Sequence, residues 1–370
     1  MQSARRVVVK IGTNALTNAT GRFDRGHFQR LAGDLLEVAR TRELVIVSSG
    51  AIALGVERLG WTTRPKDIPG KQACAAVGQS RLMQAWEEAF AERGRTVAQI
   101  LLTHEDVQDR RRYLNARHTL ARLLEERVVP VINENDTVSV AELKFGDNDT
   151  LAGLVAGLVE ADVLVVLSDV EGLYTADPRS DPSAALIPEV TEVTPKVLEL
   201  GGKSTSGVGT GGMATKVRAA ARVAELGIRA VICSGQRPHV LGQVLAGEEI
   251  GTLFEPKATP RSARAAWIAH ALRARGTVVV DEGARRAVVE QKKSLLPSGI
   301  RAVQGDFDKG DPVDLADEAG TVFARGLSAY DADELRRIAG RKSSEIEAVL
   351  GYRYLDEAVH RDDLALVGAF

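Results

Sequence analysis

Short continuous apolar runs alternate with amphipathic stretches over the first two thirds of the chain. Val7–Val9, Leu44–Val47, Val97–Leu101, Val128–Ile132, Val163–Leu167 and Ala230–Ile232 read as strands. Between the first two, Phe28, Leu31, Leu35 and Val38 recur at helical spacing and predict a helix with one face against a sheet. The segments Gln72 to Gly94 and Tyr113 to Glu126 repeat that pattern. Strands that are apolar throughout, separated by helices, predict an α/β fold with a mainly parallel sheet.

The texture changes after Thr252-Leu253-Phe254. Two prolines, Pro256 and Pro260, interrupt a stretch without apolar period, which suits a linker, and a short helix is expected from Ala263 to Ala274. From Thr277 onward the texture is of brief strands broken by turns, with Val278–Val280, Gly305-Asp306, Gly310-Asp311-Pro312 and Thr321–Phe323, which predicts a small β-rich domain. The expected organisation is residues 1–258 as the larger domain, 259–276 as linker and short helix, and 277–370 as the second domain with a C-terminal tail. A chain of 370 residues exceeds one ordinary core, so two domains also suit its length.

Composition removes several function classes. Apolar residues make up 44% and charged residues 26%, as in a globular protein rather than a disordered one. No apolar run approaches the roughly 20 residues of a membrane span, and the N-terminus lacks a secretory pattern, so a cytoplasmic protein with no membrane partner is expected. The two cysteines, Cys74 and Cys233, fall in apolar segments without CxxC spacing and read as buried thiols. A net charge of -2 gives no broad positive field, so small molecules are the better-suited partners.

Candidate chemistry collects where strands end. Lys10 closes the first strand in Val9-Lys10-Ile11-Gly12-Thr13, at the sheet edge where α/β proteins bind ligands. Val47-Ser48-Ser49-Gly50-Ala51 closes the second and offers amides and hydroxyls for an anion, although a capping serine in a tight turn accounts for the same residues. After the fourth strand one long connection carries Asn133-Glu134-Asn135-Asp136 and Phe145-Gly146-Asp147-Asn148-Asp149, where Asp149 suits a cap on a helix beginning at Thr150. Ser168-Asp169 ends the fifth strand. Gly207 to Lys216 is a glycine-rich approach to a further helix, with Lys216 in its first turn.

Three alternatives fail on spacing. The formal GxGxxG from Gly207 to Gly212 follows no strand and lacks the acidic residue that a dinucleotide site needs about 20 residues later. Gly202-Lys203-Ser204 imitates the end of a P-loop, yet Val197 stands where its leading glycine belongs. The six histidines show neither metal-ligand spacing nor a hydrolase signature, and no metal-ligating residue is assigned.

In this order, Val9–Thr13, Ser49-Gly50-Ala51-Ile52-Ala53, Asn133–Asp136, Gly146–Asp149, Gly172-Leu173-Tyr174-Thr175-Ala176-Asp177-Pro178 and Gly209–Met213 resemble the glutamate 5-kinases of the amino acid kinase family. Ser294-Leu295-Leu296-Pro297 and Leu335–Gly340 resemble that family's PUA domain, so the resemblance covers nearly the whole chain. Ser168-Asp169 departs from the Thr-Asp associated with the family by one methyl group. The resemblance implies a three-layer αβα sandwich with a mainly parallel sheet, followed by a PUA-like domain.

It also implies ATP-dependent phosphorylation of the side-chain carboxylate of L-glutamate to L-glutamyl 5-phosphate, with Mg2+ carried by the ATP phosphates. That reaction opens L-proline biosynthesis, with feedback inhibition by proline. Lys10 and Lys216 would flank the transferring phosphoryl group and Asp149 would orient them. Gly12, Ser168, Asp169 and the run Thr210, Gly211, Gly212, Met213, Ala214, Thr215 and Lys216 would contact ATP together with Lys10. Ser49, Gly50, Asn133, Asp136, Asp147 and Asn148 would hold glutamate, Asp136 through the α-ammonium, Ser49 and amides through the α-carboxylate. A homo-oligomer and coupling to a glutamyl phosphate reductase are further implications. Kinases for carbamate, acetylglutamate, aspartate or UMP would share the nucleotide machinery. PUA domains elsewhere bind RNA, but residues 277–370 hold 13 Lys/Arg against 18 Asp/Glu, which opposes phosphate-backbone affinity.

Overall fold

The computed structural model describes residues 1–18, 20–139, 148–202, 212–256, 259, 265, 268–269 and 272–367, with the backbone alone at residue 110. Among the described residues no helix is long and apolar enough to cross a membrane. The chain divides into two compact units, Met1–Pro260 and Arg261–Phe370.

The first unit is built on an eight-stranded sheet. Its strands are β1 (Arg6–Ile11), β2 (Glu43–Ser48), β3 (Val97–Leu102), β4 (Val129–Glu134), β5 (Val163–Ser168), β6 (Glu189–Val190), β7 (Arg229–Ser234) and β8 (Thr252–Phe254). The spatial order is β3-β4-β2-β1-β5-β7-β8-β6, and every pairing is parallel except β7 with β8. The central strands are buried on both faces, which is why they read as unbroken apolar runs. Val7, Val9 and Ile11 of β1 enter one core, while Val8 enters the other with Val45 and Val166.

Helices cover both faces. Helix α1 (Arg25–Thr41) buries Phe28, Leu31, Leu35 and Val38, and Asp24 caps it by accepting from the His27 amide at 2.9 Å. Helices α2 (Ala51–Arg58) and α3 (Ile68–Ala91) cross in close contact: a methyl group on Gly78 would lie 1.7 Å from the Ala51 carbonyl oxygen, and one on Gly55 would lie 1.9 Å from that of Cys74. Only glycine permits that approach, and it holds the start of α2 in place under the candidate site. The remaining helices of this unit are α4 (His104–Gln108), α5 (Arg110–Glu125), α6 (Asn148–Leu158), α7 (Pro195–Leu200), α8 (Met213–Glu225) and α9 (Val240–Ala246).

The topology places a crevice at β1. From β1 the chain first builds outward through β2, β3 and β4 on one side, then returns to lay β5 and β7 on the other. The carboxyl ends of β1, β2, β4 and β5 therefore face a switch point, the location where open α/β sheets hold ligands. Both cysteines are buried, Cys74 in α3 and Cys233 in β7. Burial pushes the Cys233 thiol up to about 12, so it stays protonated and inert.

The second unit carries a five-stranded sheet of β9 (Gly276–Val280), β10 (Ile300–Gly305), β11 (Pro312–Ala316), β12 (Val322–Leu327) and β13 (Leu364–Leu366), in the order β10-β9-β11-β12-β13. Helices α10 (Glu282–Val289), α11 (Ala332–Ile338) and α12 (Ile346–Leu350) accompany it. Its own core includes Val278, Val280, Leu315, Tyr330 and Leu335. The helix expected from Ala263 to Ala274 lies largely outside the described residues.

Candidate active site

A cleft of about 500 Å³ opens at the switch point. One end is built by a buried ion cluster. Lys10 at the end of β1, Lys216 in the first turn of α8 and Asp149 in the first turn of α6 converge, all three buried. Lys10 Nζ pairs with Asp149 Oδ1, and Lys216 Nζ lies 3.3 Å from Oδ2. The Thr215 hydroxyl lies 2.8 Å from the same Oδ2. Burial alone would raise the Asp149 carboxyl, but the two ammonium groups outweigh it and hold its pKa at about 2.

This assembly corrects one expectation. Helix α6 already includes Asn148, ahead of the expected start at Thr150, so Asp149 stands within the helix and its carboxylate meets the lysines instead of capping. One carboxylate between two cations fixes both ammonium groups at the cleft wall, since Lys10 and Lys216 both line it. Their combined charge exceeds that of Asp149 by one unit, so the cluster presents net positive charge to whatever enters.

Beside the lysines, Gly12, Ser168 and Asp169 also line the cleft. A methyl group on Gly12 would sit 3.4 Å from Lys10 Nζ, so glycine keeps this wall low. Asp169 is held by Asn14, whose Nδ2 donates at 3.0 Å, and by the Ser168 hydroxyl at 3.2 Å. Burial would raise its pKa, but these bonds and the nearby Lys216 charge lower it instead. Gly212, Met213 and Ala214 stand where α8 begins, with Gly212 at its N-cap position. Thr210 and Gly211 lie outside the described residues, as does Asp147.

The other end of the cleft is polar and acidic. Asn148 Nδ2 donates to Ser49 Oγ at 2.7 Å and to Asn133 Oδ1 at 3.0 Å. Asn133 in turn donates to Gln79 Oε1 at 2.8 Å, so a glutamine inside α3 props the network. With its amide nitrogen so committed, Asn148 Oδ1 is buried without a donor among the described residues. Neither Ser48 nor Ser49 caps α2; Gly50 occupies that position with φ of 107°, a conformation that favours glycine. Ser48 accepts from the indole of Trp86 at 3.2 Å instead.

Asp136, Glu134 and Arg64 complete this end. Burial and the adjacent Glu134 push the Asp136 carboxyl up to about 6, while Arg64 pulls in the opposite direction. An elevated carboxyl in an acidic corner awaits a cation. Asn14, Gln79 and Arg64 were not singled out from the sequence, and Glu134 was read only as part of the Asn133–Asp136 cluster. Gln79 is one of several polar residues along α3 and Arg64 lies in a stretch without periodicity, so neither carries a local signal.

Comparisons with known proteins give the chain its family. Residues 5–234 match the amino acid kinase family and residues 276–350 match the PUA domain. A glutamate 5-kinase of Myxococcus xanthus (strain DK1622) is 72% identical over 99% of this chain and 97% of its own length. One of Anaeromyxobacter dehalogenans (strain 2CP-C) is 54% identical over 99% of this chain and 97% of its own length. Among solved structures, a carbamate kinase from Giardia lamblia bound to AMP-PNP superposes with a TM-score of 0.50 at 16% identity, covering 70% of this chain and all of that one, a likeness of fold. From β1 to the second unit's sheet, the chain belongs to the amino acid kinase family and, within it, to the glutamate 5-kinases.

Proposed function

We propose that this chain transfers the γ-phosphoryl group of ATP to the side-chain carboxylate of L-glutamate, giving L-glutamyl 5-phosphate, the first step of proline biosynthesis. One observation carries the reading: a single cleft joins a cationic end, Lys10 and Lys216 on Asp149, to an acceptor-rich end, Asp136 and Asn148. A free amino acid with a reactive carboxylate is complementary to that polarity. Its α-ammonium meets Asp136 and Asn148 Oδ1, and its side chain points toward the lysines.

The chemistry needs no general base. A glutamate side chain with a pKa of about 4.3 is ionised at neutral pH and is already the nucleophile. The obstacle is the approach of two anions, which the ammonium groups of Lys10 and Lys216 offset as charge shifts from the γ-phosphoryl group to the leaving oxygen. Asp149 holds both lysines in place, and Ser49 with the amides opening α2 orients the substrate's α-carboxylate. Gly12, Ser168, Asp169 and the start of α8 form the nucleotide side. The carboxylates of Asp149 and Asp169 are engaged by protein donors, which suits a Mg2+ held chiefly by the ATP phosphates. When bound, that ion neutralises phosphate charge.

Asp136 gives the reading a pH dependence. The α-ammonium pairs with the ionised carboxylate, whose pKa in the empty cleft is about 6. KM for glutamate is expected to be flat above that value and to rise about tenfold per pH unit below it, as the proton must first leave. Asp136→Asn should raise KM by roughly two orders of magnitude, abolish the acid limb and spare kcat. Steady-state kinetics between about pH 5 and pH 7.5 decide it, and an acid limb that persists in the variant removes Asp136 from the site. N-acetylglutamate, whose nitrogen carries no charge, should be a poor substrate.

Feedback inhibition by proline, a homo-oligomeric state, a cytoplasmic location and delivery of the acyl phosphate to a glutamyl phosphate reductase accompany this reading. A phosphorylated carboxylate is hydrolytically labile, which favours a consumer close by.

A further inference from the structure

We propose that Gln79 is a positioning residue for the amino-acid end of the cleft: it fixes the direction of a chain of side-chain amides so that the Ser49 hydroxyl proton is left for the substrate's α-carboxylate. This rests on the glutamate reading given above. Ser49, Asn133 and Asn148 line the cleft, and Gln79, buried in α3, reaches it through them.

The direction of the chain is set by a group that can only donate. The Glu134 backbone N–H donates to Asn133 Oδ1 at 2.9 Å, so that atom is the carbonyl oxygen and the other terminus of Asn133 is its amide nitrogen. Asn133 Nδ2 then donates to Gln79 Oε1 at 2.8 Å. Asn133 Oδ1 takes a second donor from Asn148, whose Nδ2 lies 3.0 Å from it and 2.7 Å from Ser49 Oγ. These two closest contacts use both protons of the Asn148 amide, and Ser49 Oγ receives one of them. The hydroxyl's own proton has no acceptor among the described residues. An incoming carboxylate is the acceptor it lacks.

Gln79 anchors the far end of this chain. An apolar residue in its place would take away the acceptor of Asn133 Nδ2, which is buried. Turning the Asn133 amide over would then set donor against donor at both Glu134 and Asn148, so only one direction satisfies the chain. Gln79 is itself well placed to hold it. It follows Gly78, where a methyl group would lie 1.7 Å from the Ala51 carbonyl oxygen, so α3 presses on the start of α2 beside Ser49 and Gly50. Gln79 Nε2 is buried with no acceptor among the described residues. A fold selected for stability alone has no use for that half of the amide, and the half in use is the one that directs the site.

A mutant cycle tests this. Wild type, Gln79→Met, Gln79→Glu, Asn148→Ala and the Gln79→Met/Asn148→Ala double variant are assayed with L-glutamate and ATP varied separately, products being trapped with hydroxylamine. Gln79→Met should raise KM for glutamate roughly 10-fold, the scale of an impaired charge-assisted contact, and leave kcat and the KM for ATP within about threefold. Gln79→Glu, protonated where it is buried, keeps an oxygen acceptor of the same reach and should stay within about threefold of wild type. In the Asn148→Ala background, which removes the link to Ser49, adding Gln79→Met should change KM by less than about twofold, because the two residues act as one unit. Additive costs, or a loss carried by kcat, overturn the assignment and mean that Gln79 acts through the fold. A Gln79→Glu enzyme with KM raised about tenfold overturns it as well, whether or not the methionine variant folds. If wild type makes no glutamate-dependent product, the proposed function falls and this role with it. If wild type is active and Gln79→Met matches it, only the role of Gln79 falls.

Discussion

Replacing Asp149 by asparagine is expected to cost about 3 to 5 kcal/mol of stability at neutral pH and to lower kcat by about two orders of magnitude. The substitution keeps the size of the side chain but leaves Lys10 and Lys216 buried against one another without their shared counter-charge. Removing one partner from a buried pair has that order of cost because the remaining charge cannot return to water. The pH dependence carries a definite sign. The Asp149 carboxyl has a pKa of about 2 when folded, below the unfolded value of about 3.9. Its stabilisation is therefore present in full above about pH 4 and fades as pH falls toward about 2. The gap between wild type and Asp149→Asn in urea denaturation should be widest at neutral pH and should narrow on acidification through that window. A variant as stable as wild type at neutral pH would mean that the cluster contributes nothing to the fold.

The second large effect concerns the transition state. Lys216→Ala should lower kcat by roughly 10²- to 10³-fold, the scale for losing one preorganised positive group aimed at developing charge, while changing KM for glutamate by no more than a few fold. Lys216 enters from the first turn of α8 and lines the cleft, and in the proposed reading its ammonium belongs to the phosphate-binding end. Steady-state kinetics with both substrates varied separate the outcomes. A raised KM with kcat intact would mark Lys216 as a ground-state binding group and would move the stabilising role to Lys10.

Much of this architecture was legible in the sequence because burial on both faces of a sheet writes unbroken apolar runs. Val7–Val9 and Val163–Leu167 read as strands, and they lie beside one another in the sheet. Chemistry was legible where a polar residue interrupts such a run at its carboxyl end, as Lys10, Ser49 and Ser168 do. The partnerships were not. Asp149 and Lys216 stand 67 residues apart, and only the register of the folded sheet and the packing of α6 on α8 bring them together. Asp149 alone looked like a helix cap because its partners are invisible locally. Gln79 and Arg64 escaped for different reasons: one is a polar residue on the buried face of an amphipathic helix whose other polar residues are mostly exposed, the other a charge in a segment without apolar period. Strands β6 and β8 were missed as strands because two and three residues are too few to establish a period.

The most direct test of the central claim is a trapping assay on the intact chain. Purified protein is incubated with ATP, Mg2+ and hydroxylamine, and challenged in parallel with L-glutamate, N-acetylglutamate, aspartate, carbamate and UMP, following both hydroxamate and ADP. The account predicts glutamate-dependent hydroxamate with matching ADP release, and little turnover of the other four. ADP release on one of those four, without hydroxamate from glutamate, would leave the fold and the lysine cluster standing and would contradict the assignment of the acceptor.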